Sequence, residues 1–437
     1  MGRQPFGLAS PAAWLRRAGV AVRVHDLSIG RLPADALDGV SLVAVHLPMH
    51  TATRLALPVI AAIRRRAPAL PICAYGLYAP LNRARLEAHG VTAILGPEAE
   101  ADLVEIARRA LAGQPLTSPP PRALPRLAFA VPDRAGLPPL DAYAKLRRAD
   151  GRLAVVGATE ATRGCKHRCR HCPIVPVYDG QFRVVPVEVV LADIRAQVAA
   201  GATHLTFGDP DFFNGPTHAR RLVDALHAEW PDLTYDVTIK VEHLRAHDAL
   251  LPVLRDTGCA FVTTAVESLD DDVLAKLDKG HTAADVAAVA ARCRALGLVL
   301  SPTFIAFTPW TTLQGYAAFL DAIERLDLVG HVAPVQLTLR LLVTWQSRLL
   351  ELDDIRRRVG AFDQASLTWP WRHDDPAVDA LQREVMRLVG VRATAEGEDV
   401  FDAVRELADR ALGRATRADR PRRARAAVPY LTEPWYC

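Results

Sequence analysis

Three cysteines, Cys165, Cys169 and Cys172, stand at CxxxCxxC spacing inside the run Gly164-Cys165-Lys166-His167-Arg168-Cys169-Arg170-His171-Cys172-Pro173. Three thiolates can hold three irons of a cubane 4Fe–4S cluster and leave the fourth iron without a protein ligand. Such clusters ordinarily take four thiolates. An open iron can bind a small molecule directly, which turns an electron carrier into a catalyst. The same residues admit a zinc site, with His167 or His171 completing a Cys3His set. Zinc motifs usually come as two separated ligand pairs, and no second pair is present. The other cysteines, Cys73, Cys259, Cys293 and Cys437, are isolated. The first three lie in apolar or helical segments and read as buried, inert thiols.

A chain of 437 residues has room for two or three domains. Half of it is apolar and 23% is charged, as in a soluble globular protein. The net charge of +4 is local: Arg414, Arg417, Arg420, Arg422, Arg423 and Arg425 stand against Asp419 alone, a net +5 that leaves the remainder at −1. A nucleic-acid binder spreads basic residues over a folded face with aromatics between them. This run reads as a solvated linker, and nucleic acid is not expected as a partner. Seven cysteines without framework spacing argue against a secreted disulfide scaffold. No apolar run approaches the ~18–20 residues of a membrane span, and the N-terminus lacks a signal-peptide profile. The expected compartment is the reducing cytoplasm, with no membrane partner.

The elements that must carry these cysteines follow from the pattern of apolar runs. Residues 1–112 read as an α/β domain, with strands at 20–26, 41–47, 71–75 and 91–95 and helices at 12–18, around 59–63 and at 98–111. Strands alternating with helices at this spacing indicate a doubly wound parallel sheet, Rossmann-like in class. Pro5-Phe6-Gly7-Leu8-Ala9-Ser10 reads as a loop leaving a first strand that is itself missing, so that either the true start lies upstream or the domain is truncated. Residues 113–150 form a linker, rich in proline up to Pro139, where consecutive prolines exclude helix. From 151 to 345, strands near 153–158, 203–207, 234–239, 260–266, 298–305 and 335–341 alternate with helices. Six βα units fit a partial (β/α)6 barrel, in which chemistry gathers at the C-terminal ends of the strands. The cysteine loop follows the first of them. Residues 346–437 form a C-terminal extension, with helices near 376–390 and 398–412, the Arg-rich linker and a Cys-terminated tail.

In that position Cys165, Cys169 and Cys172 resemble the radical S-adenosylmethionine (SAM) superfamily, a resemblance that covers roughly residues 150–345. It implies that SAM chelates the open iron through its methionine amino and carboxylate groups. An electron from the cluster then cleaves the sulfonium to give a 5′-deoxyadenosyl radical or a related species. It also implies a small-molecule substrate and a reductant such as flavodoxin or ferredoxin. Phe207-Gly208-Asp209-Pro210-Asp211 follows the second strand, where the superfamily places a glycine-rich turn against the SAM amino group. Gly208 permits close backbone approach. Asp209, and in second place Asp211, would accept from the ammonium, although the superfamily more often has Gly-Gly-Glu; a turn capped by Asp is the alternative. Glu267 and Ser268 end the fourth strand, where a polar residue contacts the SAM ribose, and a carboxylate ending an apolar strand needs partners. Lys240, Glu242 and His243 end the third strand, facing the same cavity or forming a solvated rim. Thr303, Thr308 and Arg340 are lesser candidates.

The first 112 residues resemble the cobalamin-binding-like domain that precedes many radical SAM domains. The cobalt-ligating Asp-x-His-x-x-Gly signature is absent, and His46 and His50 lie in other contexts. Cobalamin bound without a protein ligand and a structural relic both stay open. The tail Leu431-Thr432-Glu433-Pro434-Trp435-Tyr436-Cys437 is similar to a radical SAM group named for a Cys-Cys- or Cys-selenocysteine-Ala-Glu-Pro terminus, which implies a selenocysteine codon after Cys437; a frayed terminus is the plainer alternative. The expected activity is reductive cleavage of SAM to modify a small molecule by transfer of a methyl group or another SAM fragment. An RNA-modifying enzyme and a non-catalytic iron–sulfur protein are the alternatives.

Overall fold

Short apolar segments build the N-terminal sheet. In the computed structural model, which describes residues 2–118, 127–415 and 429–432, β1 (Val43–His46), β2 (Ile72–Tyr75) and β3 (Ala93–Ile94) pair in parallel in that order. The crossings are made by helix His50–Arg66 and the short helices Tyr78–Leu81 and Arg83–Ala88, with Glu100–Leu111 following β3. Residues 20–26, expected as a strand, are not one. In the doubly wound order 2-1-3-4-5 the first strand lies between the second and the third. No described strand occupies that place, so this segment has no ladder to join. Val20 and Val22 still pack on the sheet's core.

The run from Pro5 to Ser10, read as a loop, is helical from its second residue: the first helix is Phe6–Arg17. It contains Pro11, which cannot donate to the carbonyl four residues back. Tyr75 supplies the missing donor, its hydroxyl reaching Gly7 O at 2.8 Å. Helix and sheet are thereby locked together at this proline.

The larger sheet begins with β4 (Lys145–Arg147) and β5 (Leu153–Thr159), an antiparallel pair. β6 (Thr162–Gly164) and β7 (Phe182–Val184) form a small hairpin around the cysteine loop. β8 (His204–Phe207), β9 (Thr234–Thr238), β10 (Cys259–Glu267) and β11 (Leu300–Phe304) continue in parallel from β5. β12 (Tyr430–Leu431) adds to the outer edge of β4, giving the order β11-β10-β9-β8-β5-β4-β12. The parallel strands curl into the half-barrel that the βα repeat predicted, over a core that includes Ile194, Leu205, Phe207, Tyr235, Val262 and Phe304.

The sixth strand, expected at 335–341, is reduced to one bridge between Phe307 and Arg340. Pro334–Leu337 turns as a 3-10 helix instead. Side chains take over the ladder's work: Phe304 N donates to Gln336 Oε1 at 3.0 Å, and Gln382 Nε2 donates to Thr338 O at 3.1 Å. The linker also departs from expectation, because its last residues supply β4. Helices Pro376–Val391 and Gly397–Ala411 lie where the periodicity placed them. The tail from Glu433 to Cys437, with the selenocysteine expectation attached to it, lies outside the described residues, as do Pro119 to Pro125 and every arginine of the C-terminal Arg-rich stretch except Arg414.

Candidate functional site

The cysteine loop begins at Gly164, whose φ of +77° lies in the region glycine tolerates best; a Cβ there would meet Gln181 O at 2.6 Å. Asn214 grips both sides of this start, its Nδ2 donating to Gly164 O at 3.1 Å and its Oδ1 accepting from Lys166 N at 3.2 Å. Arg170 N donates to Leu277 O at 2.9 Å, and Arg348 Nη1 donates to Arg168 O at 2.6 Å. A backbone bond of 3.2 Å from Cys172 N to Cys169 O closes the last turn.

The three thiols are free and unpaired by disulfide. Burial pushes Cys165 up to about 11 and Cys172 up to about 12, and the neighbouring cysteines raise each further. Cys165 and Cys172 thus become thiolates readily only when a metal offsets the charge. That donor set fits an iron–sulfur cluster.

One flank of the loop is closed by charge pairing. His171 Nε2 lies 3.1 Å from Glu267 Oε1, and Lys279 Nζ lies 3.4 Å from the same oxygen. Burial alone would raise the Glu267 pKa, but Lys279 and His171 overcome it and bring it down to about 2. Glu267 holds a φ of +68°, at a register shift in the β10–β11 ladder. A left-handed glutamate in a strand is strained, and such strain collects at functional sites. Ser268 is turned aside, its hydroxyl accepting from Asp270 N at 3.1 Å to start the next helix.

The opposite flank is built differently. Lys240 Nζ donates to His167 Nδ1 at 3.1 Å and to Glu242 at 2.9 Å, while His167 Nε2 meets His243 Nε2 at 3.0 Å. Burial and the adjacent Lys240 ammonium push His167 down to about 4, so its ring is neutral. Its two nitrogens face Lys240 and His243. Lys240 and His243 are thus buried and paired rather than forming a solvated rim, while Glu242 remains partly exposed.

The two aspartates of the glycine turn face different ways. Asp209 accepts from Ala161 N at 2.9 Å and from Thr162 Oγ1 at 2.6 Å, so both its oxygens are engaged inside the turn. Burial pushes its pKa up to about 7. Asp211 uses Oδ1 to cap Phe213 N at 3.0 Å, and its Oδ2 points at His243. Gly208 N donates to Thr159 O at 2.8 Å, tying the turn to β5. Of the lesser candidates, Thr308 bonds within its own turn to Thr311, and Arg340 clamps Asp379 and Trp371 away from the cysteines. Thr303 lies half-buried on β11.

A cavity of about 240 Å³ opens beside the loop. The first helix and the three-stranded sheet side contribute Gly7, Ser10, His46, Tyr75 and Gly76 to it, and the larger sheet side contributes Glu160, Arg163, Gly164, Gly208 and Pro210. Arg163 joins the two walls. It donates to Glu100 at 2.6 Å, to Ser10 at 3.1 Å and to Glu160 at 3.1 Å, between the rings of Phe6 and Phe129. His46 is pushed down to about 4 by burial and packs its ring on Gly7, where any side chain would overlap it.

Sequence reasoning missed Arg163, Glu100 and Lys279. The first two are separated by 63 residues and meet only in the fold. Lys279 did leave a signal, being one of five lysines in an arginine-rich chain, two of which end up beside this loop.

Residues 159–313 match the radical SAM superfamily. The chain is 29% identical over 168 residues to the ribosomal protein uS12 methylthiotransferase RimO of Desulfosudis oleivorans, covering 35% of this chain and 37% of that protein. It is 25% identical over 191 residues to the tRNA-2-methylthio-N(6)-dimethylallyladenosine synthase of Haemophilus influenzae, covering 41% and 40%. It thus spans about two fifths of the length of the curated relatives it matches. In fold it is similar to the radical SAM methyltransferase TsrM of Kitasatospora setae (TM-score 0.61, 20% identity, 76% of this chain and 70% of that one). It is also similar to OxsB, a cobalamin-dependent SAM radical enzyme (TM-score 0.69, 13% identity, 90% and 65%). With its curled half-barrel and matched segment, the chain carries a radical SAM domain, the core of an enzyme whose cofactors there are a 4Fe–4S cluster and SAM.

Proposed function

We propose that this chain transfers a methyl group, or another SAM-derived fragment, to a small molecule bound between its N-terminal domain and its barrel. The observation that carries this reading is the shared cavity, which runs from Gly7 and Gly76 to Gly164 and Gly208 and ends beside the first cluster cysteine. Cys165, Cys169 and Cys172 would hold the cluster, with Gly208 and Glu267 bordering SAM. Bound there, cluster and SAM supply one-electron cleavage of the sulfonium. The chain's own part is to hold the loop, through Asn214, Arg348 and Glu267, and to shield the cavity from water. Asp209, with both oxygens engaged, shapes the turn.

Cobalamin is the cofactor named for OxsB and bound in a TsrM structure, and the cavity lies between domains as such a site would. Its volume is below the roughly 300–1,000 Å³ of ordinary ligand pockets, so a corrin enters only if the two walls part. His46, turned onto Gly7, offers cobalt no ligand from its present position.

Anaerobic reconstitution with iron and sulfide, then dithionite and methyl-labelled SAM, tests the proposal. The expected result is 5′-deoxyadenosine or label in a small-molecule product, lost in Cys165→Ala. Absence of every SAM-derived fragment sinks it. Retained cobalamin absorbance on the purified chain decides the cofactor question. A second reading, modification of RNA or of a ribosomal protein, is favoured by the names of the sequence relatives. Label appearing in bulk tRNA or ribosomes instead of in the small-molecule fraction would select it.

A further inference from the structure

We propose that His167, His243 and Asp211 form a divalent-metal site beside the cluster and separate from it. One ligand atom from each of the three lies within 4.8 Å of the other two. They come from three elements: the cysteine loop, the helix Val241–Ala246 and the turn after β8. All are sheltered, with Asp211 1% and His243 3% exposed.

Two observations point to a ligand rather than to a self-satisfied cluster. Asp211 Oδ2 and His243 Nδ1 lie 2.7 Å apart, yet neither is in hydrogen-bond geometry with any group among the described residues. Unsatisfied buried polar atoms are rare and ask for a partner. The second observation is charge. Lys240 pairs with Glu242 at 2.9 Å, which cancels both. The Asp211 carboxylate therefore faces two imidazoles, His243 Nδ1 at 2.7 Å and His167 Nε2 at 3.7 Å, while Lys240 lies on the Nδ1 side of the His167 ring. A buried carboxylate oxygen without a hydrogen bond is costly, and a dication within reach of Oδ2 and the two imidazoles relieves it.

Two imidazoles and one carboxylate suit a first-row ion such as Mn²⁺, Fe²⁺, Co²⁺ or Zn²⁺, and three protein ligands leave positions open. Those positions would take an oxygen, nitrogen or sulfur atom of the substrate. Glu242 Oε2, 3.6 Å from His167 Nδ1, is placed to orient that ring, as outer carboxylates do at metal sites. An ion takes the Nε2 lone pair of His167 in the tautomer that carries its proton on Nδ1, toward Glu242 Oε2, so the proton moves within the ring and none is lost.

The test uses the full chain with its cluster assembled, so that the thiolates are occupied, and Mn²⁺ alone as the probe. Free Mn²⁺ is counted by its six-line EPR signal, without SAM or substrate. The expected result is one bound Mn²⁺ per chain, with affinity at least 10-fold weaker in Asp211→Asn and in His243→Gln at unchanged iron content and circular dichroism. Should those variants fail to fold, Co²⁺ on the wild-type chain gives the answer: visible bands of nitrogen and oxygen ligation support the site. No bound Mn²⁺ on the wild type, undiminished binding in folded variants, or sulfur-to-cobalt charge transfer as the only Co²⁺ band would overturn it. A variant that keeps Mn²⁺ but loses SAM binding would also overturn it, because the carboxylate then serves an ammonium. None of these readouts depends on the proposed transfer reaction.

Discussion

The two flanks of the cysteine loop use the same residue types to opposite ends. On one side Glu267 is closed in by His171 and Lys279 and held ionised, with His171 Nδ1 alone left without a hydrogen bond among the described residues of that set. On the other side His167, His243 and Asp211 gather around a carboxylate oxygen without a hydrogen-bond donor. A closed set stabilises and fixes position; an open one leaves a place for something else. The loop therefore has a fixed edge and a receptive edge, and the difference lies in where two lysines were placed. Lys279 reaches its glutamate directly. Lys240 is held by Glu242, on the far side of His167 from Asp211.

The strongest way to break this comparison is to remove what both flanks surround. Cys165→Ala, Cys169→Ala or Cys172→Ala is expected to abolish cluster assembly and 5′-deoxyadenosine formation, read by iron content, the visible spectrum and chromatography. Next comes the closed flank. Glu267→Gln leaves Lys279, 3% exposed, buried without its anion, at an expected cost of about 3 kcal/mol in urea unfolding. The pH profile sharpens the point. The folded pKa of Glu267, about 2, lies below the ordinary 4.5, so its stabilisation is complete above pH ~4.5 and fades as pH falls toward 2. Glu267→Gln should remove that part of the acid sensitivity; an unchanged acid profile would show that the pair does not hold the loop.

Smaller effects probe the frame. Gly164→Ala introduces a Cβ against Gln181 O at a residue with φ of +77°, and is expected to cost about 1–3 kcal/mol and to slow cluster uptake. Thr282→Ala removes the capping box that starts the helix Ala283–Leu296 just after Lys279. Its expected cost is about 1 kcal/mol, seen as a lower thermal midpoint with cluster content unchanged. Equal losses of cluster in both would mean that the loop and the lysine turn are one cooperative unit.

Much of this site was legible before any fold was known. The cysteine spacing named the cluster, and apolar runs separated by helical patterns placed it at the head of a half-barrel. Lys240, Glu242, His243 and Glu267 were picked out as polar ends of apolar strands, which is where barrel chemistry sits. Asp209 and Asp211 could not be told apart, because residues two apart in a turn can point anywhere. Their hydrogen bonds come from Ala161 and Thr162 in one case and from Phe213 in the other. The segment at 20–26 has the alternation of a strand, yet pairing needs a neighbour and alternation cannot supply one. The sixth strand has the composition but yields its ladder to side chains, Gln336 from its own turn and Gln382 from the helix Pro376–Val391.

By itself the sequence determined the chemistry available: three soft thiolates at close spacing, a repeating βα scaffold and a few polar residues at strand ends. These are local properties, set by residue type and short-range periodicity. The tertiary structure alone decided which of those polar groups are satisfied. It joined Arg163 to Glu100 between the smaller and the larger sheet, closed one flank of the cluster loop with Lys279 and left Asp211 facing two imidazoles on the other. The physical reason is that a buried charge is governed by its nearest counter-charge, and here those partners lie from 12 to 96 residues away in the chain.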